Sequence, residues 1–451
     1  MGGLSTAKAL VTGAVLLGSA APVVARAEPV LLISIDGLRP GDVLEADKRG
    51  LKIPNLRRFL KEGAFTTGVV GNLPTVTYPS HTTLITGVAP ARHGIVSNTT
   101  FDPRQINYGG WYWYAQDITA PTLWDAAQQG GLTTGNVHWP VSVGVKTLNW
   151  NMPQIWRSGH ADDRKLIRAL ATDGLYDALE HDCGSYADGI DEGVDADETR
   201  AKFAIRLIET HKPDFLTVYL AALDHEEHLH GPGSAEANGV LERLDAAVGK
   251  LVAAELEQRP DATIALVSDH GFASTDTEIN LSRAFIDAGL IKLGADGKVA
   301  SWDAMPWPSG GSIAVVLARP DDLALKGMVG ALLEKLSADP QARIARVADQ
   351  PAIGRMGGNP QASYYVDLKP GALAGNFSAD GPLTKPSRYK GMHGYFPALP
   401  EMRSTFMIMG KGVARARNLG EIDMRAIAPT LARQMGVQLP LAEVATLKLG
   451  D

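Results

Sequence analysis

Val30-Leu31-Leu32-Ile33-Ser34-Ile35, followed at once by Asp36-Gly37, is an apolar run that stops on a carboxylate. Such a short run closed by a turn signal predicts a strand buried on both faces, as in a parallel sheet. The pattern recurs. Phe215 to Leu223 runs into Asp224, and Thr263 to Ser268 runs into Asp269-His270-Gly271. Thr405 to Met409 reads as a fourth buried parallel strand. Amphipathic stretches alternate with these runs: Asn55 to Lys61, Pro121 to Gln129, Arg164 to Leu179, Glu198 to Thr210, Ala235 to Glu257 and Asp423 to Met435. Strand–helix alternation implies an α/β fold with a mostly parallel sheet flanked by helices.

Between Met305 and Ser387 the rhythm changes. Strand-like Ser312 to Leu317, a helix near Leu323 to Leu336 and strand-like Ser363 to Asp367 precede a Gly- and Pro-rich end. This predicts a small α+β subdomain, residues 305–387, inserted in a single catalytic domain of residues 28–451. Residues 1–27 read as a signal peptide. Lys8 gives a positive start, an apolar run follows, and Val-Val-Ala-Arg-Ala supplies a small-residue cleavage site ending at Ala27. That run is shorter than the roughly 20 residues a membrane span needs, so no span is expected in the mature chain.

The formal charge is −7 and grows more negative once Lys8 and Arg26 are removed. An acidic chain without a basic tract is a poor binder of nucleic-acid polymers. Cys183 is the single cysteine and cannot form an internal disulfide. An exported protein without disulfides suits a bacterial periplasm, or secretion, better than a disulfide scaffold.

Ligands of open α/β sheets bind beyond the carboxyl ends of the strands. Three carboxylates delivered there repel one another unless a cation lies among them. One Asp after a strand is more often a helix cap; three, with histidines beside two of them, favour metal. Asp224 and His228 are four residues apart, so on a helical turn they point the same way. Asp269-His270 offers adjacent donors, and His393 stands between Gly391-Met392 and Gly394, where the backbone can approach an ion closely. Asp and His donors suit zinc, although other divalent metals accept them.

Asn72 to Leu84 reads as a turn that opens a helix, with Pro79 in its first turn. Thr77 just before it would feel the positive end of the helix dipole, which favours a developing alkoxide. Alone, Thr77 would be read as a helix cap.

These residues, in this order, resemble the nucleotide pyrophosphatase/phosphodiesterase branch of the alkaline phosphatase superfamily, from Val30 to the closing Ala428-Pro429-Thr430-Leu431-Ala432-Arg433. The resemblance implies an alkaline-phosphatase-like fold, two zinc ions and a phospho-threonine intermediate on Thr77. It implies that Asp36, Thr77, Asp269 and His270 hold one ion, and Asp224, His228 and His393 the other. It gives Asn98 a hydrogen bond to a phosphoryl oxygen and Tyr78 a place against the nucleobase. It implies a small phosphodiester or nucleotide as substrate.

Departures exist. The family's Pro-Asn-His is Pro79-Ser80-His81, and the segment after His393 is Gly394-Tyr395-Phe396-Pro397. His138-Trp139-Pro140-Val141-Ser142 is close to the family's Trp-Pro-Gly-Ser and lacks the Lys-x-Arg pair by which monoesterases of the superfamily hold a dianion. That absence favours a singly charged diester over the nearer rival, a phosphomonoesterase. A phospholipase C-like lipid diesterase is the other, because Trp111-Tyr112-Trp113-Tyr114 could line an apolar or choline pocket. Cys183 lacks the Cys-x-Pro-x-Arg setting of sulfatases.

Overall fold

The computed structural model describes residues 1–3, 28–107, 110–155, 160, 162–186 and 192–450. The leader read over residues 1–27 thus lies, but for its first three residues, outside the described chain. β1 (Val30–Ile35), β2 (Ala64–Phe65), β3 (Thr134–Val137), β4 (Trp150–Met152), β5 (Phe215–Leu220), β6 (Thr263–Val267), β7 (Phe406–Met409) and β8 (Arg417–Asn418) form one sheet. Its order is β8-β2-β7-β6-β1-β5-β3-β4. β1 lies at the centre, parallel to β5 and β6. Every residue of these three strands is buried, which is why each reads as an unbroken apolar run rather than an alternating one.

β7 departs from expectation. It runs antiparallel to both β6 and β2. Its apolar run carries no sign of direction, because a strand covered on both faces looks alike in either orientation.

Helices Pro54–Glu62, Val194–His211 and Ala235–Gln258 pack with Leu31, Ile33 and Ile35 on one face of the sheet. On the other, α1 (Thr77–Thr86), Leu123–Gln129 and Ile427–Gln434 pack with Val30 and Leu32. The stretch read as one helix from Arg164 to Leu179 is two, Asp163–Leu170 and Leu175–Cys183. Between them Thr172 pairs with Asn151 of β4 through its backbone N–H (2.9 Å) and its hydroxyl (2.9 Å), and Gly174 turns through φ +72°. The last helix is likewise shorter than read: Met424–Ala426 is a tight 3₁₀ turn capped by Asp423 before Ile427–Gln434 begins.

A separate antiparallel sheet contains Ala304–Ser309, Ser312–Leu317, Ala362–Leu368 and Ile344–Asp349, in that spatial order, with helix Leu323–Ala338. Its hydrophobic cluster reaches back to Ala273, Ile279 and Phe285, upstream of Met305. Among the described residues no helix is long and apolar enough to cross a membrane.

Candidate active site

In register, Ile35 of β1 lies opposite Leu220 of β5, and Ser34 opposite Val267 of β6. The chain segments leaving these three strand ends therefore emerge side by side. Asp36 follows β1 directly, and Asp269 lies two residues beyond β6. Asp224 is not at a strand end: β5 stops at Leu220, and Asp224 lies in the first turn of α2 (Ala222–His230).

The three carboxylates converge on one histidine. His270 Nε2 is 3.2 Å from Asp36 Oδ1, 3.2 Å from Asp269 Oδ2 and 3.9 Å from Asp224 Oδ1. His393 Nε2 is 3.5 Å from Asp224 Oδ1, and His228 Nε2 is 3.4 Å from Asp224 Oδ2. The His270 and His393 rings stack 3.7 Å apart. Two groups of donors are close enough to share an ion: Asp36, Asp269 and His270, and Asp224, His270 and His393. His228 joins the second through Asp224, one helical turn before it.

The hydrogen bonds indicate what this cluster accommodates. Nδ1 of His228 faces the Gly391 carbonyl (3.0 Å), Nδ1 of His393 that of Thr75 (3.2 Å) and Nδ1 of His270 that of Gly271 (3.3 Å). A carbonyl only accepts, so these partners assign the proton of each neutral ring to Nδ1. All three Nε2 lone pairs then face carboxylates. Asp36 Oδ1, Asp224 Oδ1 and Asp269 Oδ2 are buried without a hydrogen bond. Lone pairs aimed at lone pairs in a buried space fit a divalent cation, with Nδ1–H bonds orienting the rings. Without a cation, burial pushes all three carboxyls upward, and Asp224 and Asp269 are raised further by the charge of Asp36. Burial pushes His270 and His393 down, and His228 to about 4. A bound cation reverses the penalty on the acids.

Thr77 is the first residue of α1, whose N-cap is Val76 with no side-chain cap. Its hydroxyl is thus not a cap; Oγ1 lies 3.4 Å from His270 Nε2. Asn98 Oδ1 accepts the Tyr78 N–H (2.9 Å), which leaves the Asn98 amide NH₂ as its free donor at the cleft. The cleft over the cluster has a volume of about 670 Å³ and is bordered by Thr77, Asn98, Trp111, Asp224, His228 and His393.

Tyr78 has 0% of its surface exposed; its ring lies under Trp111, with centroids 5.3 Å apart, and its hydroxyl donates to Gln154 Oε1 (2.7 Å). Tyr78 nonetheless borders the cleft, together with Trp111, Phe377 and Tyr389. The glycines around His393 serve backbone packing. A Cβ on Gly391 would collide with the Glu227 carbonyl, and one on Gly394, at φ +88°, with that of Ser309.

Three contributions escaped sequence reasoning. Tyr219 donates its hydroxyl to Asp36 Oδ2; a tyrosine in a fully buried strand signals that its O–H has a partner. His81 is buried between Trp139 and Tyr219, with Nδ1 2.9 Å from the Thr77 carbonyl and 3.5 Å from Asp269 Oδ2, and Nε2 2.8 Å from Ser34 Oγ. Lys385 and Arg388 reach the cleft from the Gly- and Pro-rich end of residues 305–387, and no local pattern announces them.

Residues 30–376 match the model of a family described as type I phosphodiesterase / nucleotide pyrophosphatase; His393 lies beyond that stretch. Human ectonucleotide pyrophosphatase/phosphodiesterase family member 1 is 27% identical over 280 residues, 59% of this chain and 26% of that protein. An uncharacterised pyrophosphatase/phosphodiesterase of Schizosaccharomyces pombe is 27% identical over 288 residues, 62% of this chain and 50% of its own length. The matched region thus spans half or less of these relatives. Among solved structures, human ectonucleotide pyrophosphatase/phosphodiesterase 5 superposes with a TM-score of 0.63 at 20% identity, covering 94% of this chain and 97% of the other. The murine protein, as an inactive variant in complex with AMP, gives 0.64 at 19% identity, covering 93% and 97%.

Proposed function

The chain belongs to the type I phosphodiesterase / nucleotide pyrophosphatase family and has an alkaline-phosphatase-like fold, and from that premise we propose that it hydrolyses a phosphodiester or pyrophosphate bond of a small molecule, with Thr77 as nucleophile. The observation that supports this best is the Thr77 hydroxyl, free of any capping role and 3.4 Å from His270 Nε2. Two divalent cations, zinc by donor type, would be held by Asp36, Thr77, Asp269 and His270 on one side and by Asp224, His228 and His393 on the other. Bound there, they would lower the pKa of the hydroxyl and neutralise charge on the oxygens entering and leaving phosphorus.

The chain's own residues supply position. The Thr77 oxygen attacks phosphorus, and the bond to the leaving oxygen breaks on the opposite side, giving phospho-threonine. Water then attacks the same phosphorus and releases the Thr77 oxygen, which regains a proton. The Asn98 NH₂ donates to a non-bridging oxygen as its charge grows. Replacing Thr77 by Ala should abolish turnover of bis(p-nitrophenyl) phosphate in protein that still contains metal; near-wild-type turnover would remove the nucleophile assignment.

Lys385 and Arg388 favour a second reading, a phosphomonoesterase, because a dianion needs more positive charge. Lys385 is paired with Glu278 at 2.8 Å, and the Arg388 guanidinium lies over the Tyr389 ring, 4.7 Å from its centroid. Both cations thus already have partners at the cleft rim, which favours the diester. Faster cleavage of p-nitrophenyl phosphate than of its diester would reverse that choice. Residues 1–27 would direct export to the periplasm or medium, to be checked by the N-terminal sequence of protein purified from its source.

A further inference from the structure

The three clustered histidines have one neighbour in common, Phe272. Its ring centroid lies 4.9 Å from that of His228, 5.3 Å from that of His393 and 5.9 Å from that of His270. In each case the ring is steeply inclined to the imidazole, at 74°, 71° and 62°, an arrangement that aromatic pairs favour. The three imidazoles reach it from distant parts of the chain: α2, the segment after β6, and the segment after Gly391–Met392. Phe272 is 1% exposed and is not among the residues that border the cleft, so it touches no substrate.

The backbone is arranged to admit this ring. Phe272 stands between His270 and the strand Ala273–Ile279, which pairs with Gly391–Met392. It is therefore adjacent to His270 along the chain and to His393 across the ladder. A Cβ on Gly37 would come within 3.0 Å of Phe272 Cε2, and one on Gly391 within 3.1 Å of its Cδ1. The glycine after Asp36 and the glycine two residues before His393 thus leave the space that the ring fills.

Each imidazole is already held at one point, where Nδ1 meets a carbonyl. A single hydrogen bond leaves a ring free to tilt about it, and tilting swings the Nε2 lone pair away from its target. Each ring needs a second contact. His270 and His393 stack on one another, but that contact alone lets the pair move together and does nothing for His228. Phe272 meets all three. Its apolar body also keeps water from this side of the cluster, which bears on how firmly an ion is held.

We infer that Phe272 is a positioning residue for the metal ions proposed above: it fixes the tilt of His228, His270 and His393 together, and with it the direction of three Nε2 lone pairs drawn from both donor groups. The inference rests on those groups holding metal.

The test uses chelator-stripped protein refilled with zinc or with cobalt. Phe272→Leu keeps a buried apolar side chain but removes the planar ring. Zinc affinity, read by competition with a metal dye, should fall about tenfold or more, the usual scale for losing a group that orients ligands. The visible absorption of the cobalt protein, which reports ligand directions, should change in position or intensity. Phe285→Leu is the comparison. Phe285 is equally buried, in the cluster around the antiparallel sheet, and its variant should lose melting temperature while zinc affinity and the cobalt spectrum stay as in wild type. Should Phe272→Leu not fold, Phe272→Met takes its place. A thioether can reach the same rings, so it should alter the cobalt spectrum with a smaller loss of affinity. Wild-type affinity together with a wild-type cobalt spectrum in the Phe272 variants would show that the ring only fills space and overturn the inference. Wild-type protein that takes up neither zinc nor cobalt would instead refute the metal reading on which it stands.

Discussion

Tyr219 holds one carboxylate oxygen of Asp36 from the neighbouring strand: its hydroxyl donates to Oδ2, while Oδ1 is left facing His270. The strand register makes this inevitable. Ser34 pairs with Tyr219, so the tyrosine stands level with the end of β1 as Asp36 leaves it.

Tyr219→Phe keeps the ring between His81 and His138 but strips Oδ2 of its donor. Metal affinity should fall roughly 10–100-fold, the usual effect of losing a group that orients a ligand. Titration of chelator-stripped protein with zinc, read by competition with a metal dye, checks this. Equal affinity in the mutant would show that Tyr219 only fills space.

Exhaustive chelation should lower the melting temperature as well as abolish turnover, because it leaves buried carboxylates facing one another without a cation. Zinc added back should restore both. Full activity after chelation would refute the metal assignment entirely.

Gly391→Ala should be among the most damaging small substitutions. The added methyl would meet the Glu227 carbonyl, and the segment forced away is the one whose carbonyl orients His228. We expect loss of turnover and of the second metal equivalent, measured by elemental analysis, with the far-ultraviolet spectrum retained. Unaltered metal content would show that the backbone yields freely there.

Glu255, buried on helix Ala235–Gln258, is pushed up to about 7 by burial, in spite of the Arg259 charge. Its folded value therefore exceeds the ordinary 4.5. Below pH 4.5 it is protonated in both states and imposes no penalty. As pH rises toward 7 the unfolded chain ionises first and stability is lost, fully so above 7. Glu255→Gln should gain on the order of 1–2 kcal/mol above pH 7 and nothing at pH 4. Denaturant titrations at the two pH values decide it; a gain independent of pH would refute the assignment.

How much was legible follows from these particulars. β1, β5 and β6 are covered on both faces, so their composition announces them, and the acids that follow them are local features of the sequence. The direction of β7 is not local, nor is the break near Gly174, where a bond to Asn151 replaces a turn of helix. Asp224 and His228 were legible as neighbours because a four-residue spacing on a helix points both the same way, and the place of Thr77 because Pro79 marks the first turn of α1. The concealment of Tyr78 was not, because it depends on Trp111 folding over from a loop, and Lys385 and Arg388 reach the cleft only through strand pairing near Ala273–Ile279.

His393 joins the cluster from a short strand in which Gly391 pairs with Ser274 and Met392 with Ala273, far along the chain from Asp36. A nascent polypeptide therefore holds only part of the donor set until His393 has emerged. Binding of the metal pair proposed above would thus be an event of the nearly finished fold rather than of the growing chain.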